Sequence, residues 1–201
     1  MKRLILILSL FTLSCNYPNN NKAVQQIISS KNKDTLKTSD TLRDPNSYSF
    51  LTNLPIRQVA NLILIDSIKP SDNKVTFDCM DSIHSSNIDS RNFYFPVFLK
   101  IVDKADGALA ETVGEPLQIY VEKFPKEFIE RANNLSDEQL QSLASFIGFE
   151  LYNDYDTEKG DIEWRDKILK KCSDCNSIQL HKLKQFIELV IAARIRIGNS
   201  K

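Results

Sequence analysis

Three cysteines and two histidines carry the most chemical potential in this 201-residue chain. Cys79 and His84 stand five positions apart, and Cys172, Cys175 and His181 follow in the stretch KCSDCNSIQLH. Thiolates and imidazoles suit zinc, which takes four such ligands in a tetrahedron. Cys79, His84, Cys172, Cys175 and His181 are therefore candidate zinc ligands, provided that the two regions meet in the fold. The competing assignment is a local Cys172–Cys175 disulfide in a turn between two helices. Cys79 is then a buried thiol beside Met80, and both histidines face solvent. So small a loop would constrain the unfolded chain little. A redox-active C-x-x-C needs a depressed thiol pKa, which the N-terminus of a helix favours. Cys172 instead ends a predicted helix, where the field has the wrong sign. A structural bridge or plain thiols is the leading assignment for Cys172 and Cys175, with no cofactor; zinc is the alternative.

The carboxylates give less. The densest acidic stretch is NDYDTEKGDIE, from Asn153 to Glu163. Counting Asp154 as the first position of a calcium loop puts Asp156 and Glu158 at the third and fifth. Lys159 then falls where glycine is needed and Arg165 where a bidentate glutamate is needed. This reads as a solvated loop between helices. Pairs such as Asp161 with Glu163, or Glu111 with Glu115, read as wet helix faces. Gly-x-Ser-x-Gly, a phosphate-cradling glycine loop and His-Glu-x-x-His are all absent. The chain leans away from an enzyme. The remaining cluster is NFYFPVF, Asn92 to Phe98, with four aromatics in seven residues. One helical face cannot bury them all, so Tyr94 and Phe95 are candidate interface residues.

Helices must position these groups. In LSDEQLQSLASFIGFELYND, Ser136 and Gln139 form a capping box, and Asp137 and Glu138 suit the positive end of the helix dipole. Leu140, Leu143, Ala144, Ile147 and Leu151 then make one apolar stripe at helical spacing. Near the C-terminus Ser177 is the expected cap and Leu180, Leu183, Ile187, Val190 and Ile191 the stripe. Gly198 is the expected left-handed end. Pro55 opens a helix expected to reach Lys69. Another starts at Ser71 or Asp72, with Val75, Cys79, Met80 and Ile83 inward. Pro96 is expected to begin a helix whose inner face holds Phe98, Ile101, Val102 and Ala105. Shorter helices are expected over Asp106–Val113, from Leu117 to Phe124, from Pro125 to Ala132 and over Asp161–Lys171. KVTFDCM alternates only weakly, and five glycines are few for a sandwich or barrel. The fold expected is all-α: a compact multi-helix bundle, or a short α-solenoid of antiparallel helix pairs.

The N-terminus speaks about location. Lys2 and Arg3 precede the apolar run Leu4–Leu13, which is about half of the roughly 20 residues needed to span a bilayer. Ser14 and Cys15 end it. A charged start, a short apolar core and a small residue fit an export leader that is removed. With the cysteine directly after the small residue, the segment resembles a bacterial lipoprotein signal. The resemblance covers residues 1–15. It implies that the mature chain begins at Cys15, with a diacylglycerol on sulfur and a fatty acyl chain such as palmitate on the amine. Residues 15–46 are rich in Asn, Ser, Thr, Asp and Lys. They cannot bury enough apolar surface to offset their ordering entropy. We read them as a disordered, flexible tether with a reach of roughly 30 Å, leading to one helical domain over 47–201.

The whole chain has 26 basic and 26 acidic residues. Removal of Met1–Ser14 takes Lys2 and Arg3 and leaves a balance of −2. A nearly neutral chain has no electrostatic reason to seek nucleic acid. The expectation is a lipid-anchored protein of the bacterial cell envelope that touches the membrane through its lipid and binds a protein partner there. An immunity or inhibitor lipoprotein facing a toxin or hydrolase is one alternative. A zinc-binding or thiol-dependent envelope enzyme is the other.

Overall fold

The computed structural model describes residues 48–154 and 158–199. The expected leader, Cys15 and the expected tether lie outside the described residues, as does Asp156 of the acidic stretch. The helices are α1 (Tyr48–Leu51), α2 (Ile56–Leu64), α3 (Lys74–Asp81), a 3₁₀ turn (Ser82–His84), α4 (Ile88–Lys104) and α5 (Gly107–Thr112). They continue as α6 (Gly114–Lys123), α7 (Pro125–Ala132), α8 (Asp137–Asp154), α9 (Glu158–Lys171) and α10 (Ser177–Asn199). The described residues contain no strand, and KVTFDCM lies in α3. The architecture is all-α, helix packed on helix.

Local chemistry accounts for many of the helix boundaries. Ser136 and Gln139 exchange their expected bonds: the Ser136 N–H donates to Gln139 Oε1 at 3.0 Å, and the Gln139 N–H to Ser136 Oγ at 3.2 Å. The same reciprocal pair opens α10, but its cap is Asn176 with Gln179, at 2.9 Å each way, and not Ser177. Asn caps the helix as well as Ser does. Helix α10 also runs through Gly198 to Asn199, so that glycine does not end it.

The expectation at Pro96 is corrected. Helix α4 begins eight residues earlier, where the Asn87 side chain accepts from the N–H groups of Asp89 (2.8 Å) and Ser90 (3.1 Å). Pro96 lies inside the helix on an exposed position. A proline there withholds one ladder hydrogen bond. Packing carries the helix through it: Tyr94, Val97, Phe98 and Ile101 are all buried.

Helix α2 stops at Leu64, short of Lys69. Asp66 adopts φ 56°. Its N–H donates to the Ile63 carbonyl at 3.1 Å, and the Ser67 N–H reaches back to Leu62 at 2.8 Å. This pair of bonds is a Schellman ending, with aspartate where glycine is commonest. The Asp66 carboxylate also meets Lys100 Nζ at 2.6 Å. Asp66→Asn, short and polar, should therefore leave stability within about 1 kcal/mol. Asp66→Val should lower it by about 2 kcal/mol, because a β-branched side chain resists left-handed backbone. Urea unfolding midpoints check both.

The core is continuous. Trp164, Tyr120, Phe98 and Phe128 are its largest fully buried side chains. Helices α2 and α3 pack on α4, the 3₁₀ turn sits against α4 and α6, and α9 lies against α6 and α10. Helices α8 and α10 make the most extensive contact. There Gly148 allows close approach: a Cβ on it would stand 2.9 Å from the Ala193 Cβ and the Arg194 nitrogen.

Candidate functional site: a groove between α7, α8 and α10

The candidate metal ligands do not converge. Cys79 is fully buried in α3, and burial, with the Asp78 charge adding, pushes its thiol up to about 12. It is protonated at neutral pH. His84 lies on the 3₁₀ turn, 3.6 Å from Asp81. His181 is exposed on α10. Cys172 and Cys175 are bonded to each other, Cα to Cα 5.2 Å, and close the turn between α9 and α10. Among the described residues no group of three or more His, Cys, Asp or Glu is placed to share a cation. The turn is held further by the Cys175 N–H bonding the Cys172 carbonyl at 3.1 Å, and by Lys126 of α7 pairing with Asp174 at 2.8 Å.

The surface role of Tyr94 and Phe95 is also corrected. Each is only 5% exposed. Helix α4 takes α2 and α3 on one flank and the 3₁₀ turn on another, so more than one of its faces is buried. Phe95 packs 5.6 Å from the Tyr120 ring and Tyr94 4.9 Å from Phe93. Asp161 and Glu163 do not face one cleft. Asp161 is buried and pairs with Arg194 at 3.3 Å, whereas Glu163 is exposed.

The most developed polar cluster is centred on Glu127 of α7. Arg91 of α4 forks onto it, with Nε 2.9 Å and Nη2 2.6 Å from Oε2. Arg131 donates from Nη2 to Oε1 at 2.7 Å, and the Tyr120 hydroxyl donates to the same oxygen at 3.0 Å. Arg91 also caps the loop before α4, donating to the Ser85 and Ser86 carbonyls. Its guanidinium lies 3.8 Å from the centre of the Phe124 ring. Burial by itself would raise the Glu127 carboxyl; hydrogen bonds from Arg91, Arg131 and Tyr120 outweigh it and hold the carboxyl below its ordinary value. Burial likewise pushes the Tyr120 hydroxyl upward, so it stays a donor. Every oxygen of Glu127 is engaged, so the cluster is a structural clamp between α4, α6 and α7. The sequence signalled it only through the i,i+4 spacing of Glu127 and Arg131.

The open feature is a groove of about 770 Å³ between α7, α8 and α10. Ile129, Leu135, Leu140, Phe186 and Leu189 supply apolar walls, and Asp137, Lys182 and Glu188 are charged residues along it. Helix α7 and α10 are joined beside it by a hydrogen bond from Gln179 to Glu130 at 3.0 Å, and Lys182 bonds Asn133. Apolar walls with polar and charged residues among them are the make-up of a docking surface. A smaller cavity of about 340 Å³ lies between α9 and α10, beside the Asp161–Arg194 pair.

Comparison with protein-family models, with curated proteins and with solved structures gives no match to this chain. No helix among the described residues is long and apolar enough to cross a membrane. The functional reading therefore rests on the groove and on the residues of the N-terminus.

Proposed function

We propose that this protein is a lipid-anchored bacterial envelope protein whose helical body is a non-enzymatic protein-binding module. The observation that carries the anchor is the placement of Cys15 directly after a ten-residue apolar run and Ser14. Acyl chains on one cysteine hold a protein at a bilayer without a spanning helix, at about 0.8 kcal/mol per buried CH₂. The groove supports the binding role, because it offers shape and apolar area and contains no gathered set of nucleophile, base and orienting group of the kind catalysis uses.

Mass spectrometry of protein purified from native membranes tests the anchor. The expected species begins at Cys15 and carries diacylglycerol and acyl mass. Cys15→Ser should keep the leader attached and abolish lipid labelling. An unmodified Cys15 in wild-type material would overturn the anchor. The binding role is tested at the groove. A photo-crosslinking residue at position 140 should capture a discrete protein band in intact envelopes, and one at exposed Lys159, outside the groove, should not.

A further inference from the structure

The outward face of α10 borders the groove and carries a self-complementary pattern. Ala192 is exposed at its middle. Three residues to either side stand exposed Leu189 and Ile195, at 37% and 47%. Four residues to either side stand exposed Glu188 and Arg196. Among the described residues neither of these two charges is in an ion pair. At 3.6 residues per turn all five positions lie within one half of the helix surface, and at 1.5 Å per residue the two charges sit about 6 Å either side of Ala192.

We infer that this face pairs with a second copy of the chain, the two α10 helices crossing antiparallel at Ala192. An isologous contact requires that a surface complement itself, each residue i meeting j and each j meeting i. An antiparallel crossing centred on Ala192 meets that requirement. Glu188 of one copy comes level with Arg196 of the other, twice, and Leu189 comes level with Ile195, twice. The small side chain at the centre lets the helices approach closely. A parallel arrangement would instead set Glu188 beside Glu188 and Arg196 beside Arg196. The inference deepens the groove reading and rests on it, since Glu188, Leu189 and Ala192 also line that groove. It needs nothing from the lipid anchor.

Sedimentation equilibrium of the full chain in a density-matched detergent should give a dimer. Glu188→Arg alone, and Arg196→Glu alone, should each weaken the dimer at least about tenfold, since two like-charge contacts replace two pairs. Mixing those two variants should restore association as a heterodimer, because one face is then wholly basic and the other wholly acidic. Both sites are exposed, and circular dichroism verifies that the variants remain helical. Ala192→Cys should cross-link to itself under mild oxidation, and Lys184→Cys, about 12 Å along α10 from the crossing point, should not. A monomeric wild type, or a dimer indifferent to both reversals, overturns the inference. Cross-linking from position 140 to a different protein, with a monomeric wild type, would overturn self-pairing and leave the groove's binding role standing.

Discussion

Glu127→Ala is expected to cost about 3–5 kcal/mol of stability, the range for breaking a buried ion cluster by removing one partner. Arg91 is 7% exposed and Arg131 18% exposed. Without the carboxylate their guanidiniums keep the desolvation cost and lose the charge that offsets it. The Tyr120 hydroxyl loses its acceptor as well. Glu127→Gln keeps an acceptor oxygen and should cost less, because a neutral amide still takes some of these donors. Urea unfolding of the three proteins at neutral pH measures the order wild type, Gln, Ala. The pH dependence has a definite sign. The Glu127 carboxyl is held below its ordinary value in the fold. Its stabilisation is therefore complete above the unfolded-state pKa and disappears as pH falls through the lower, folded-state value. Glu127→Gln should remove that part of the acid sensitivity. An unchanged acid midpoint in Glu127→Gln would mean that this clamp does not govern acid unfolding.

The second large effect is expected at Gly148. Glycine inside a helix costs about 1 kcal/mol relative to alanine, so its presence at the middle of α8 needs a reason. The reason is α10. An added Cβ would meet the Ala193 Cβ and the Arg194 nitrogen at 2.9 Å and the Val190 carbonyl oxygen at 3.0 Å. Two of these are backbone atoms, which cannot rotate aside, so α10 must move. For Gly148→Ala the gain in propensity offsets part of an overpacking cost of about 1–3 kcal/mol. Gly148→Val adds two methyl groups to the same contact and should lose about 3 kcal/mol or more. Ala193→Gly relieves only one of the three contacts, so it should rescue Gly148→Ala partly and Gly148→Val hardly at all. Thermal unfolding of the five proteins, wild type included, tests this. Full rescue of Gly148→Val by Ala193→Gly would place the clash in side chains alone.

Helices whose signals are local were legible in the residues. The capping box at Ser136 and Gln139, the proline opening at Pro125 and the stripe from Leu143 to Leu151 each depend on neighbours within one or two turns. Their outcome does not wait for the rest of the chain. The extent of α4 was not legible, because Pro96 is a local breaker that many distant contacts override. Nor was the end of α2, where an aspartate takes a left-handed conformation that glycine usually fills. Tyr94 and Phe95 looked like surplus aromatics on a helix with one buried face; α4 is buried on more than one.

By itself the sequence determined the all-helical class, much of the helix list, and the placement of Cys15 after an apolar run on which the anchor proposal rests. It did so because capping, periodicity and a short apolar run are read over a few residues. Only the tertiary structure decided that Glu127 gathers Arg91, Arg131 and Tyr120, since Arg91 and Glu127 lie 36 positions apart in the chain. Only it separated Cys79 and His84 from the Cys172–Cys175 turn, and only it left one face of α10 bare. Those outcomes depend on which helix packs on which, a choice made by the summed burial of the whole core and not by any short run of residues.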